Sequence, residues 1–146
     1  MRAITQVVVI LLFLSSFAAG DQPCARGTID YINGKWYQSE VYPNDLLATP
    51  SWDPTREPQP PLPAGKAIEL ATTKLGELFP PIADWLVKTV TLNWSYKPGH
   101  WYYQIFFVEN FLTPNRAERD SEFEGKSFSI LVLMDGKVIE PTIRQE

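Results

Sequence analysis

The stretch from Leu86 to Glu109 constrains the fold most, because it has the pattern of two antiparallel strands joined by a turn. Lys97 to His100 are polar or turn-forming, and four residues are an ordinary length for a hairpin connection. If Tyr96 faces Trp101, the next same-face pairs are Trp94 with Tyr103, Leu92 with Ile105, Val90 with Phe107, and Lys88 with Glu109. A shift of one residue would set threonine and asparagine against large aromatic side chains. The stretch is therefore predicted to be the central hairpin of a small sheet.

The first twenty residues have the features of a secretory signal peptide. Arg2 is their only charge, Val7 to Leu14 is an unbroken apolar run, and Ala18, Ala19 and Gly20 are small. The run is short for a membrane span, which needs about 20 residues. We expect residues 1–20 to be a signal peptide cleaved after Gly20, and the chain to be exported to the periplasm or the extracellular space. An uncleaved anchor is the alternative.

The charge balance argues against two classes of partner. The whole chain carries a formal charge of −4. Loss of Arg2 with the signal would make the mature chain more acidic still. Neutralising phosphates requires a basic patch, so an acidic exported chain is a poor candidate for nucleic acid and equally poor for an anionic membrane surface.

Cysteine occurs once, at Cys24. The chain cannot form an internal disulfide, so its stability must come from a hydrophobic core. An incidental free thiol near the N-terminus, or a homodimer linked through Cys24, remain as interpretations.

Proline dominates the segment from Val41 to Pro63, which holds seven of the thirteen prolines. Such a segment is predicted to be extended and stiff, neither helix nor central strand. It carries apolar side chains, including Trp52 and Leu62, and we expect this proline-rich arm to contact the domain through them. Residues 21–63 are thus an N-terminal segment plus arm, and residues 64–146 a helix plus sheet.

Two further elements follow from local patterns. From Ala64 to Phe79, apolar residues recur at three- and four-residue spacings, which predicts an amphipathic helix that ends before Pro80. From Ser127 to Ile143, the Asp135-Gly136 pair predicts a second hairpin with a two-residue turn. That turn would place Val132 opposite Ile139 and leave Val138 on the opposite face.

The order of elements predicts an α+β fold, with one helix packed on a four-stranded antiparallel sheet and a proline-rich N-terminal arm. A helix followed by four antiparallel strands resembles the cystatin-like two-layer fold. The run AGKAIELA followed by WYYQIFFV and ILVLMDGKVI is similar to PepSY-type domains. The pattern W-x-P-x-x-x-P-x-x-P-L-P, followed by WYY and VLMDGKVIEP, is similar to small exported proteins of environmental bacteria. The Gln-x-Val-x-Gly loop of cystatin-type peptidase inhibitors does not occur, so the resemblance implies the fold and not the inhibition.

Catalytic patterns are sparse. His100 is the only histidine, and no G-x-S-x-G, P-loop, H-E-x-x-H or dinucleotide-binding glycine pattern occurs. We therefore predict no catalytic residue, no cofactor and no metal. Asp84 and Glu109 are candidate rim carboxylates, and Glu118, Asp120, Glu122 and Glu124 lack the spacing of a calcium loop, so solvated surface positions are favoured for both sets.

The candidate binding surface is the face of the sheet that points away from the helix. Its members are Tyr102, Gln104, Phe106, Val108, Leu131, Leu133 and Val138. A contiguous apolar patch of several hundred Å² usually marks a contact surface. The competing interpretation is that the arm covers this face, with Trp52 and Leu62 docked on it.

The sequence therefore favours an exported, non-catalytic domain that binds a protein or peptide through the sheet face or an exposed strand edge, with the Lys137–Ile143 edge as one possibility. A small enzyme with a pocket between helix and sheet, and a self-associating envelope component, are the alternatives.

Overall fold

The computed structural model describes residues 27–95, 98–110 and 125–145. The predicted signal peptide, Cys24 and the carboxylates from Glu118 to Glu124 lie outside these ranges. In chain order the elements are β1 (Thr28–Ile32), β2 (Lys35–Ser39), α1 (Pro43–Leu47), α2 (Ala64–Leu78), a 3₁₀ turn (Ile82–Asp84), β3 (Trp85–Trp94), β4 (Trp101–Glu109), β5 (Ser127–Leu133) and β6 (Thr142–Ile143). The described chain is an α+β structure with one main helix and two three-stranded antiparallel sheets.

The main core lies between α2 and one face of the sheet β3–β4–β5. The apolar stripe of α2 supplies Ala67, Ala71 and Leu75, all of them buried. Alternation along a strand sends every second residue to this face. The sheet accordingly contributes a set of buried aromatic and aliphatic side chains: Tyr103, Ile105, Phe107, Phe128, Ile130 and Val132.

The central hairpin forms, but the predicted register is wrong by two residues. Trp94, not Tyr96, pairs with Trp101, and Leu92 pairs with Tyr103. The Ser95 N–H donates to the His100 carbonyl at 3.0 Å, so the pair that closes the hairpin is Ser95 with His100 and not Tyr96 with Trp101. A shift of two keeps each side chain on its predicted face, whereas a shift of one would reverse it. A β-bulge interrupts the pairing between Val87 and Thr89.

The second hairpin closes with a three-residue loop, so the predicted two-residue turn is wrong. Leu133 and Lys137 are joined by a hydrogen bond of 2.9 Å from N–H to carbonyl, and Gly136 has φ +88°. Three-residue hairpin loops use a left-handed residue at this position. The extra residue reverses the faces: Val138 bridges Val132 and packs on the main core, while Ile139 turns to the opposite face.

The predicted fourth strand does not extend the main sheet. In the observed register, position 141 would be the partner of Ser129, but Pro141 has no N–H to donate to the Ser129 carbonyl. The Ser129 N–H donates to the Asp30 carboxylate at 3.2 Å. The chain then leaves the sheet, and Thr142 and Ile143 pair with β2.

The N-terminal sheet has the order β1–β2–β6. Asn33 and Gly34 adopt positive φ values of 52° and 75°, as a tight two-residue hairpin turn requires. β1 and β2 therefore form a hairpin. Its inner side joins the main core through Ile32 and Tyr37.

The proline-rich segment contains a short helix, α1, so the prediction that it contains no helix is wrong. Pro43 occupies the start of α1, where its missing N–H costs no hydrogen bond. The rest of the segment is irregular and lies against the domain. Among the described residues, no helix combines the length and the apolar character needed to cross a bilayer.

Candidate functional site

The centre of the predicted binding surface is buried in a second hydrophobic cluster. Tyr102 is 3% exposed, Leu131 1% and Leu133 0%. Val41 and Leu46, from the beginning of the proline-rich segment, cover them together with Ile139. A 2.5 Å ion pair between Lys137 and Asp45 joins α1 to the loop after β5. This part of the face is not available to a partner.

The other predicted surface residues are divided between two places. Gln104, Phe106 and Val108 remain on the outer face and are partly buried. The Gln104 amide donates to the Ser129 hydroxyl at 3.4 Å. Val138 lies on the helix side, against the main core, because of the three-residue loop.

Trp52 and Leu62 are both buried, but not on the outer face. The Trp52 ring contacts Trp101 with centroids 5.5 Å apart, and Leu62 belongs to the main core. The arm therefore passes from the outer face, where Val41 and Leu46 lie, to the helix side of the sheet. The residues that cover the outer face are at the start of the segment, not at Trp52 and Leu62.

The open feature of the main sheet is its β3 edge. The sheet order places β3 at the margin, with β4 on one side only. Hydrogen-bonded and non-hydrogen-bonded pairs alternate along an antiparallel ladder. Since Ser95 and His100 form a hydrogen-bonded pair, the N–H and C=O groups of Val90 and Leu92 point away from β4. No hydrogen bond from the described part of the chain reaches them.

An apolar groove of about 500 Å³ runs beside this edge. Its floor is formed by Val90, Leu92 and Tyr103, and its wall by residues of the arm and the start of α2: Trp52, Gln59, Pro60, Pro63 and Ala64. Ligand pockets of roughly 300–1,000 Å³ with mostly apolar linings are typical of binding sites. Val90 and Leu92 thus offer open backbone groups at the edge and side chains in the groove.

The groove is held in place by hydrogen bonds from the arm to β4 and its turn. The Trp52 N–H donates to the Gly99 carbonyl at 2.8 Å, and the Trp101 indole donates to the Trp52 carbonyl at 3.1 Å. The buried Tyr103 hydroxyl donates to the Leu62 carbonyl at 3.0 Å. Burial raises the pKa of Tyr103 above its usual value of 10, so this donor keeps its proton at neutral pH. A groove with fixed walls binds without the cost of ordering them.

A smaller polar pocket lies at the opposite end of β3. Its volume is about 210 Å³, and Asp84, Glu109 and Lys126 line it together with apolar residues. Asp84 and Glu109 were considered from the sequence as carboxylates at the rim of the sheet, and in the structure both line this pocket. Within residues 27–95, 98–110 and 125–145, no cluster of three or more histidine, cysteine, aspartate or glutamate side chains is placed to hold a metal ion.

Comparison with known proteins adds no relative. No family model matches the chain, and neither does a curated protein or a solved structure.

Sequence reasoning missed the groove because its two sides are distant in the chain. The arm residues precede β3 by about thirty positions, and no local pattern tells which face of the sheet they contact. One signal was present. Trp52 in a proline-rich segment suggested a docked arm, and Val90 and Leu92 on the helix-facing side of an outer hairpin strand marked where it could dock.

Proposed function

We propose that this chain is an exported, non-catalytic binding protein that takes up an extended polypeptide segment along β3. The observation that carries the proposal is the coincidence of an open strand edge and a fixed apolar groove at Val90 and Leu92. An added strand forms main-chain hydrogen bonds with the edge, and its alternate side chains enter the groove. Export rests on the signal-like pattern of residues 1–20.

Edge strands are usually protected against unwanted pairing by charges, bulges or proline. Here Lys88 and the bulge beside it blunt only the first half of β3. The half from Thr89 to Leu92 has a regular ladder with β4 and an apolar floor. The part of the edge beside the groove therefore lacks these protections, and this is where we place the partner.

The test uses a capped octapeptide of alternating leucine and threonine, titrated into the mature chain by calorimetry. Two matched peptides carry N-methyl groups on the leucines or on the threonines. Antiparallel strand addition needs the leucine N–H groups, and parallel addition needs those of the threonines. We expect one methylated peptide to lose binding and the other to keep it. The proposal is contradicted if both methylated peptides still bind or if both lose binding. It is also contradicted if the parent peptide does not bind at concentrations up to about 1 mM, which corresponds to a binding free energy of about −4 kcal/mol.

Two protein variants locate the site. Leu92→Lys places a charge on the groove floor, and we expect it to weaken binding by at least tenfold. Leu86→Lys is the matched control, since it makes the same change in the same strand on the far side of the bulge. Equal effects of the two variants would contradict the site, and circular dichroism of both checks that the fold is retained.

A second copy of the chain is the competing occupant of the edge. Reducing conditions break any disulfide through Cys24, so sedimentation then measures only the non-covalent association of the chain. We expect a monomer. A dimer that Leu92→Lys dissociates would assign the edge to self-association and overturn the peptide proposal.

A further inference from the structure

The edge of β3 and the groove beside it also determine which segments fit, and this inference rests on the proposed function. Val90 and Leu92 are separated by one residue, and the side chain of the residue between them, Thr91, is exposed on the other face. In a paired strand, residues directly opposite each other place their side chains on the same face of the sheet. The two partner residues opposite Val90 and Leu92 must therefore both point into the groove.

The length of the usable edge limits the partner to a short segment. On one side the bulge between Val87 and Thr89 breaks the regular ladder. On the other, the Trp52 N–H bond to Gly99 fixes the arm against the turn that follows β3. Between these limits the groove floor offers two strand positions of β3, Val90 and Leu92.

The lining determines the chemistry of the two side chains. Trp52, Pro60, Pro63 and Ala64 form the apolar part of the wall, Gln59 is its one polar side chain, and Val90, Leu92 and Tyr103 form the floor. The Tyr103 hydroxyl is already engaged with the Leu62 carbonyl, and the Trp52 indole donates to the Glu57 carbonyl at 3.0 Å. A polar side chain entering here would lose its water without gaining a partner from these groups, whereas an apolar one gains by burial.

We propose that the β3 groove selects polypeptide segments in which two apolar residues are separated by a single residue. The type of this intervening residue is not restricted, provided that its side chain can be exposed to solvent. The intervening side chain points to the opposite face, beside Thr91, and contributes little. Segments with adjacent apolar residues, or with two residues between them, can place only one side chain in the groove at a time. This holds for parallel and antiparallel addition alike, because alternation has a period of two in both.

The experiment compares peptide isomers of identical composition. Nine capped octapeptides in a serine and threonine background carry valine, leucine or phenylalanine at positions 4 and 6, and nine isomers carry the same pairs at positions 4 and 5. Binding is measured by calorimetry against the mature chain, Leu92→Lys and Leu86→Lys. We expect the best alternate-spaced peptide to bind at least tenfold more tightly than its adjacent isomer, with that preference kept in Leu86→Lys and lost in Leu92→Lys.

The outcomes separate the two proposals. If adjacent and alternate isomers bind equally and Leu92→Lys weakens both, the groove binds peptides but the spacing rule is wrong. If no peptide of either set binds, the proposed function itself fails. A spacing preference that survives in Leu92→Lys would place the selective site elsewhere and overturn this inference.

Discussion

Asp30 shows how one residue replaces a missing strand partner. Its carboxylate accepts the Ser129 N–H at the edge of β5, next to the point where Pro141 ends the pairing. The cost is partial burial of a charge. Desolvation raises the pKa of Asp30 from 3.8 to about 6, against the opposing effect of the hydrogen bond from Ser129.

This shift makes stability depend on pH in a defined direction. The folded protein holds the Asp30 proton up to about pH 6, whereas the unfolded chain loses it near pH 3.8. The contribution of this group to stability is therefore present at low pH and is lost as the pH rises through 6. Asp30→Asn has no proton to lose and still offers a carbonyl oxygen to Ser129.

We expect the free energy of unfolding of Asp30→Asn, minus that of the parent, to rise by roughly 1–2 kcal/mol between about pH 3.5 and pH 7, after allowance for solvent screening. Urea unfolding of both proteins across this range measures the difference, which cancels the titration of the other carboxylates. A difference that stays constant with pH would show that Asp30 is not desolvated in the folded state.

At the scale of elements, turn length decides which face each side chain occupies. The loop after β5 has three residues and depends on the left-handed conformation of Gly136, at φ +88°. This single extra residue moves Val138 to the main core and Ile139 to the outer cluster. By contrast, the two-residue shift in the β3–β4 hairpin leaves every face unchanged.

Glycine substitutions test this loop against an internal control. Gly136→Ala has room for the added Cβ, since the nearest atom is 3.5 Å away on Leu70. We expect it to cost about 1–2 kcal/mol through the left-handed backbone alone. Gly65→Ala, in the first turn of α2 with no atom within 4 Å of the added Cβ, should instead stabilise by about 0.5–1 kcal/mol.

If the loop is as described, thermal and urea unfolding will show a lower free energy of unfolding for Gly136→Ala and a higher one for Gly65→Ala than for the parent. A Gly136→Ala protein as stable as the parent would mean that the loop does not need the left-handed residue, and the assignment of Ile139 to the outer face would lose its basis.

For the whole molecule, stability comes from two clusters on opposite faces of one sheet. The main cluster lies under α2, and the second lies under α1. Because there is no internal disulfide, the start of the proline-rich segment is held by burial of apolar side chains in the second cluster, and the partly exposed ion pair of Lys137 and Asp45 adds little to this.

Two adjacent leucines in α1 measure what this cluster contributes. Leu46 is fully buried at 0% exposure, and Leu47 is 51% exposed. We expect Leu46→Ala to lower the free energy of unfolding by about 2–4 kcal/mol, since it leaves a cavity in a closed cluster. Leu47→Ala should change it by less than about 1 kcal/mol. Similar values for both would mean that α1 does not close the outer face.

Much of the architecture follows from local sequence. The helix from Ala64, the strands around Trp94 and Trp101, and the inward set of Tyr103, Ile105 and Phe107 are all set by apolar periodicity. Apolar periodicity determines which face of the sheet each side chain occupies but not the register, because a shift of two residues leaves every side chain on the same face. The β3–β4 register was therefore predicted on the correct faces but two residues away.

Only the tertiary structure decides what depends on contacts between distant segments. Asp30 and Ser129 are 99 positions apart, and Tyr103 and Leu62 are 41 apart. The sequence shows an arm with apolar side chains, but it does not show where they pack. In the structure, Val41 and Leu46 cover the outer face of the main sheet, whereas Trp52 and Pro60 form part of the wall of the groove on the helix side. Hydrophobic burial has no direction, so composition determines that the arm must dock, and only packing determines where.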